Sequence, residues 1–269
     1  MKLIQITDLH LVTPGETLFG LDPLVRLTAC LKDVKDHHGD ADAIVVTGDL
    51  THDGEIAAYE ALAKAISGLT PPVHLMLGNH DRREAFRAVF GNAHFDAGFV
   101  QKSVDLDGSR LILLDTLKEG AVEGELCPAR LGWLERQLAG AGENGALVFA
   151  HHPPFRLHMP ALDRVRLGEA EEFARIANQA GNVRHILAGH VHRPVSGSWR
   201  GIPFNALRST NQQTALVFED RFVNSHEPPA YAVIFVDVDG VVVHFHDFLD
   251  ETAGPKSGSQ TSVDQSDSA

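Results

Sequence analysis

Short apolar runs alternate with longer amphipathic stretches over the first 190 residues. The segments 3–6, 43–46, 73–77, 110–114, 146–150 and 185–188 have the length and apolar content of buried strands. Between them, apolar residues recur at helical spacing. Leu24, Leu27, Leu31 and Val34 form one face that runs to about His37. It follows Asp22-Pro23, a good N-cap residue and a proline suited to the first turn. Further helices are predicted over 56–66, over 83–90, after Pro128 with Leu131, Leu134 and Leu138 on one face, and over 168–180. Beyond about residue 195 the spacing shortens. Residues 195–247 read as near-consecutive strands, among them 215–218, 231–236 and 241–245, with Asp239-Gly240 marking a hairpin turn between the last two. The pattern is one of βα units followed by antiparallel strands, in one domain over residues 1–251. Residues 252–269 are rich in Ser, Gly and Asp and nearly free of apolar side chains, so a disordered tail is expected there.

Composition narrows the function classes. The chain has 269 residues, 43% hydrophobic and 22% charged, which is ordinary for a globular protein. No apolar run approaches the roughly 20 residues needed to span a bilayer, and the N-terminus enters a strand directly with no leader pattern. A membrane partner is therefore not expected. The two cysteines, Cys30 and Cys127, are expected as reduced thiols in a cytoplasmic protein. The net charge of −13 argues against a nucleic-acid polymer as partner, since such binding relies on clustered Lys and Arg. It leaves a small anionic substrate open, because metal ions would invert the local sign.

Five polar clusters each follow an apolar run: Asp8-Leu-His10, Gly48-Asp49, Gly78-Asn79-His80-Asp81, His151-His152 and Gly189-His190-Val-His192. Asp, His and Asn offer oxygen and imidazole donors suited to Mn, Fe, Co or Zn, and no thiolate lies in any cluster. The i, i+2 spacing of Asp8 with His10, and of His190 with His192, would point two side chains one way in an extended segment. The glycines before the ligands would permit sharp turns or close backbone approach. Asp49 stands alone, and a lone carboxylate suits a bridge between two ions about 3.5–4 Å apart. The other histidines, His52 included, fit no such pattern and are expected at the surface or in the core. Asp81 reads as the N-cap of the helix that follows, with orientation of its neighbour His80 the alternative.

In this order the clusters resemble the calcineurin-like metallophosphoesterase superfamily, over residues 3 to about 195. The start Ile-Thr-Asp-Leu-His-Leu, the stretch Gly15 to Gly20, Ala58-Tyr59 and His151-His152-Pro-Pro are most similar to bacterial class III cyclic-nucleotide phosphodiesterases and related glycerophosphodiesterases. The resemblance implies an α/β fold, a four-layer α/β/β/α sandwich of two mixed sheets flanked by helices. It implies two divalent metal ions per chain. Asp8, His10 and His192 would bind one, Asn79, His151 and His190 the other, and Asp49 both. Asn79 and His80 would meet the substrate, with His80 the catalytic group, either as a hydrogen-bond donor to the substrate or as a proton source for the leaving alkoxide. The implied reaction is hydrolysis of a small phosphodiester, a 3′,5′-cyclic nucleotide or a glycerophosphodiester, by a metal-bound hydroxide. A phosphomonoesterase using the same metals, or a non-catalytic interaction module of the same fold, are the alternatives. A homo-oligomer is also open to such a chain. Related diesterases often carry a substrate-side His after Gly-His-x-His. This chain reads Arg208-Ser-Thr-Asn-Gln-Gln213, which would put Asn211 or Gln212 in that place.

Overall fold

The computed structural model describes residues 1–249; the remainder, with the tail expected from 252, lies outside the described residues. In chain order the first half holds β1 (Lys2–Ile6), α1 (Pro23–His38), β2 (Ala43–Thr47), α2 (Ile56–Ile66), β3 (Val73–Met76), α3 (Arg83–Phe90), β4 (Lys102–Leu106) and β5 (Ser109–Leu114). Next come α4 (Pro128–Ala139), β6 (Ala146–Ala150), α5 (Pro160–Asp163), α6 (Ala170–Ala180) and β7 (Val183–Ala188). The last quarter is all strand: β8 (Val195–Trp199), β9 (Ile202–Ala206), β10 (Gln213–Thr214), β11 (Asn224–Ser225), β12 (Ala230–Val236) and β13 (Val241–Asp247). The expected cap of α1 forms, with the Asp22 carboxylate accepting from the amides of Leu24 and Val25.

Two sheets result, ordered β13-β12-β1-β2-β3 and β4-β5-β6-β7-β9-β8. Each is mixed. β1, β2 and β3 run parallel while β12 and β13 join antiparallel; β5, β6, β7 and β9 run parallel between antiparallel edges β4 and β8. The period-2 alternation of side chains explains how these sheets stack. Leu3, Val45 and Met76 face Leu113, Phe149 and Leu187 in a core between the sheets. Ile4, Ile6 and Val46 turn the other way and pack on Leu27, Leu31, Tyr59 and Phe86 of α1, α2 and α3. Ile112, Val148 and Ile186 pack on Trp133, Leu134 and Phe173 of α4 and α6. Three cores mean four layers, as the family resemblance implies. No helix among the described residues is long and apolar enough to cross a membrane.

The predicted strand over 215–218 does not form. The strand is the two residues Gln213–Thr214, paired with Asn224–Ser225, and Leu216 and Phe218 project into solvent at 54% and 63% exposure. The run Ala-Leu-Val-Phe over 215–218 has the apolar content of a buried strand, but such a run pairs into a sheet only where a core receives it, and this segment meets none. Strand β4, at a sheet edge and only half-buried, carries too weak an apolar signal to read from sequence.

Two polar contacts lock the strand ends that converge at one rim. Gln5, buried between the sheets, donates from Nε2 to Thr47 Oγ1 (3.1 Å) and to Ala188 O (3.2 Å), tying β1 to β2 and across to β7. Asp81 is not the N-cap of α3; Arg82 holds that position with no side-chain cap. Its buried carboxylate instead accepts from the amides of Leu50 (3.0 Å), Thr51 (3.1 Å) and Gly78 (2.9 Å), from Thr51 Oγ1 (3.2 Å) and from Tyr59 Oη (2.8 Å). Burial, and then the charge of Asp49, push it up to about 6. This hub welds the loop after β2 to the loop after β3. Asp81→Ala leaves several buried donors unpaired and is expected to cost about 3 kcal/mol in urea unfolding. A loss below about 1 kcal/mol would mean those amides are paired by other means.

His74 of β3 is buried, and among the described residues its Nε2 has no partner. Burial, with Lys102 nearby, pushes it down to about 4 from 6.5. The unfolded chain therefore binds this proton more tightly than the folded one. His74 costs nothing above its ordinary value and destabilises the fold progressively as pH falls from 6.5 toward about 4. His74→Leu is expected to move the acid-unfolding midpoint to lower pH and flatten stability across that window. An unchanged pH profile would show that His74 is solvated in the folded state.

Candidate metal centre

The loops behind β1 and β2 continue the parallel register of their strands. Asp8 N–H donates to Gly48 O (3.0 Å), His10 N–H to Asp49 O (2.9 Å) and Leu11 N–H to Leu50 O (3.1 Å). All seven residues expected as metal ligands come together at this rim. The way they converge differs from the expectation: Asp8-Leu-His10 and His190-Val-His192 are not extended. Asp8, His10, Asp49, His190 and His192 all adopt left-handed backbone, with φ of 53°, 47°, 47°, 70° and 49°. Leu9 and Val191, between them, are driven fully into the apolar interior. Left-handed conformation at a β-carbon-bearing residue is strained, and strain of this kind collects where a site over-determines the backbone. Close approach supplies the remaining constraint. A Cβ at Gly78 would overlap the Asp49 carboxylate and His151 Nε2, and one at Gly189 would overlap Thr7 Oγ1.

The side chains form two adjoining donor groups. Asp8, His10, Asp49 and His192 bring one donor atom each within 4.8 Å of one another. His10 Nε2 lies 3.0 Å from His192 Nε2, and His192 Nε2 lies 3.2 Å from Asp8 Oδ1. In the second group Asn79 Oδ1 lies 2.9 Å from His190 Nδ1 and 3.3 Å from His151 Nε2. Asp49 belongs to both: its Oδ2 is 3.6 Å from His10 Nε2 and 3.4 Å from His151 Nε2, while its Oδ1 accepts from the His80 amide at 2.9 Å. Donors bound to one ion at about 2.0–2.2 Å sit roughly 3–3.6 Å apart, so these spacings fit divalent cations. The outer contacts fit as well. His192 and His151 give their Nδ1 hydrogens to Gln212 O (2.9 Å) and Thr47 O (2.8 Å), turning Nε2 lone pairs inward. Buried His190 Nε2 has no partner among the described residues.

The electrostatics describe the same crowding. Burial would raise Asp8 and Asp49, but His192 at Asp8 and His151 at Asp49 outweigh it and hold both below the usual carboxylate range. Burial would lower His151 and His192. Asp49 instead takes His151 up to about 9, and Asp8 raises His192. His10 and His190 are pushed down by burial, His190 to about 3 with His151 adding to the effect.

His80 stands outside the two groups that share Asp49, although its ring, with those of His52 and His10, brings one nitrogen each within 4.8 Å of one another. Its Nδ1 donates to His52 O (2.7 Å), which frees Nε2 for the open side. The His52 ring, expected at the surface or in the core, stacks on His80 with centroids 4.7 Å apart and planes 19° apart. Its place follows from the Asp49 loop, three residues on, and no motif marks it. His152 lies within reach of His151 and His190, yet both its nitrogens are engaged, Nδ1 with Thr116 Oγ1 (2.8 Å) and Nε2 with Val122 O (3.1 Å). It supports the site and offers no lone pair to an ion. In the 208–213 segment, Gln212 lines the open side of the site, while Asn211 is buried and donates to Gln212 Oε1 (2.8 Å). Two cavities meet at His80 and His52. One, of about 840 Å³, carries Asp53, Arg82, Glu84 and Glu119; the other, of about 450 Å³, is mainly apolar.

The chain is similar to several known proteins. The profile of the family described as Calcineurin-like phosphoesterase matches residues 1–194. A probable cyclic nucleotide phosphodiesterase from Rhodopseudomonas palustris is 42% identical over 255 residues, covering 93% of each chain. The 3′,5′-cyclic adenosine monophosphate phosphodiesterase of Escherichia coli is 33% identical over 213 residues, 78% of this chain and 76% of its own. Among solved structures, a dimetal phosphatase from Danio rerio superposes with a TM-score of 0.71 at 14% identity, over 92% of this chain and 96% of its own, which speaks for the fold. With the family profile spanning most of the chain and relatives this similar over most of their length, the chain belongs to the calcineurin-like phosphoesterase family and is a hydrolase.

Proposed function

We propose that this protein hydrolyses small phosphodiesters at a pair of divalent ions, with 3′,5′-cyclic nucleotides as first candidates and glycerophosphodiesters as second. One observation carries the reading: a single oxygen, Asp49 Oδ2, faces His10 on one side and His151 on the other, at 3.6 and 3.4 Å, so the two donor groups share a bridge. The relatives named cyclic nucleotide phosphodiesterases support the choice of diester. In this reading Asp8, His10 and His192 would hold one ion, Asn79, His151 and His190 would hold the other, and Asp49 would serve both. Bound there, ions such as Mn, Fe, Zn or Co supply Lewis acidity, lowering the pKa of a water and drawing charge from the phosphoryl oxygens.

The chain's own groups do the remainder. The His80 amide fixes Asp49 Oδ1, so the bridging oxygen keeps its aim. The Asn79 side chain borders the phosphoryl position. His80, oriented by His52 O, turns Nε2 toward the leaving oxygen and, when protonated, hands it a proton. We also infer a cytoplasmic location, with which the two free thiols are consistent.

The test is a panel of cyclic AMP, 2′,3′-cyclic AMP, glycerophosphocholine and a bis-aryl phosphate, with matched monoesters, assayed with added Mn. Diester turnover exceeding monoester turnover is expected; monoesters turned over alone would replace this reading with a phosphomonoesterase. His80→Ala is expected to keep both ions and to lower kcat on alkyl diesters by about 100-fold. Aryl esters, whose leaving groups need no proton, should lose far less. An equal loss on both would remove His80 from proton transfer. Asp49→Asn should lower bound metal below one ion per chain, measured by elemental analysis, and full retention of two ions would exclude it as the bridge.

A further inference from the structure

We propose that the apolar cavity beside the metal centre is a nucleobase site, closed by Phe19 and Phe222; this rests on the diesterase reading and names its substrate class. The first observation is a strained, exposed ring. Leu18 and Leu21 exchange backbone hydrogen bonds (2.8 and 3.0 Å) around Phe19-Gly20, and both central residues have positive φ, 54° and 78°. This is the two-residue hairpin turn that takes Asn, Asp or Gly at its first position, where a bulky aromatic residue is an outlier. The Phe19 ring gains no burial in exchange. It is 62% exposed and meets His52 edge-on at the rim of the metal centre, with centroids 6.4 Å apart.

The second observation is convergence. Phe222, at 55% exposure, and Val122, at 52%, line the same cavity from two other loops. Leu162 and Val165 extend its apolar wall, Gln212 and Asn224 add neutral amides, and the metal centre forms its floor. Its volume, about 450 Å³, suits a nucleoside-sized ligand. The third observation is charge. Apart from Asp49 on the floor, no carboxylate, lysine or arginine of the described residues lines this cavity, whereas Asp53, Glu84, Glu119 and Arg82 line the other. A cationic headgroup would find its counter-charges in the larger cavity. The apolar one fits a flat, neutral ring whose edge can pair with amides and whose faces can stack on phenylalanine.

Adenosine carries the ring without the phosphodiester, so its binding separates the base site from hydrolysis. Calorimetric titration of the full chain with adenosine, with and without Mn, is expected to show binding that weakens roughly tenfold in Phe19→Asn and in Phe222→Ala and survives in Phe19→Tyr. KM for cyclic AMP should rise by a similar factor with kcat little changed, while KM for the ring-free diester glycerophosphoethanolamine should stay put. Phe19→Asn should also raise Tm, because asparagine tolerates the left-handed turn that phenylalanine strains. Absent wild-type binding, or adenosine affinities within twofold in both loss variants, would overturn the base site even if cyclic AMP is hydrolysed. Phe19-dependent adenosine binding without diester turnover would keep the site and reject the diesterase reading.

Discussion

Two carboxylates, Asp8 and Asp49, lie out of water at the rim where the two sheets meet, at 0% and 1% exposure. Charge removed from water in this way is expensive unless cations and hydrogen bonds answer it. The surroundings do so from every side. His190 N–H donates to both oxygens of Asp8 at 3.1 Å, Thr7 Oγ1 donates to Asp8 Oδ2 at 2.7 Å, and the His80 amide holds Asp49. Four imidazoles then crowd the remaining lone pairs. The sandwich makes this possible by bringing the ends of β1, β2 and β3 against those of β6 and β7. The glycines at 78 and 189 let those loops close to contact. The left-handed backbone at five of the seven candidate ligands is the conformational cost of aiming them inward.

The loops around this rim divide the surface chemically. The side bounded by Asp53, Glu84 and Glu119 is polar, and the side bounded by Phe19, Val122 and Phe222 is apolar, with His80 and His52 between them. An open-chain phosphodiester has two separate ester arms that unlike flanks could bind differently, whereas a 3′,5′-cyclic nucleotide carries both ester oxygens on one sugar and presents a single base to one flank. In the proposed reading the buried donors carry the phosphorus chemistry and exposed loop residues set specificity, the usual division between a rigid scaffold and the loops it carries.

Much of this was legible in the sequence, for physical reasons that differ by element. The parallel strands are buried on both faces and so read as plain apolar runs, and Asp22-Pro23 marked the start of α1 by its capping chemistry. The ligand clusters stood out because several metal-donor types recur just past strand ends. What escaped was set by tertiary contact. His52 carries no motif, and only the fold lays its ring on His80. Asp81 looked like a helix cap locally, yet five donors from three segments claim its carboxylate. Residues 215–218 are an apolar run like that of a buried strand but have no core to meet. Phe19-Gly20 breaks the turn rule that would have revealed it. The i, i+2 pairs converge through left-handed kinks, a conformation that spacing alone does not disclose.

An Asp49 oxygen shared by two ions would have a direct magnetic signature. Frozen-solution electron paramagnetic resonance of the Mn-loaded protein reports whether two ions lie about 3.5–4 Å apart through a common ligand. The expected spectrum is that of an exchange-coupled pair, which appears on loading toward two ions per chain and collapses to isolated ions in Asp49→Asn. A simple six-line signal of magnetically isolated Mn at full loading of the unaltered protein would contradict the shared bridge.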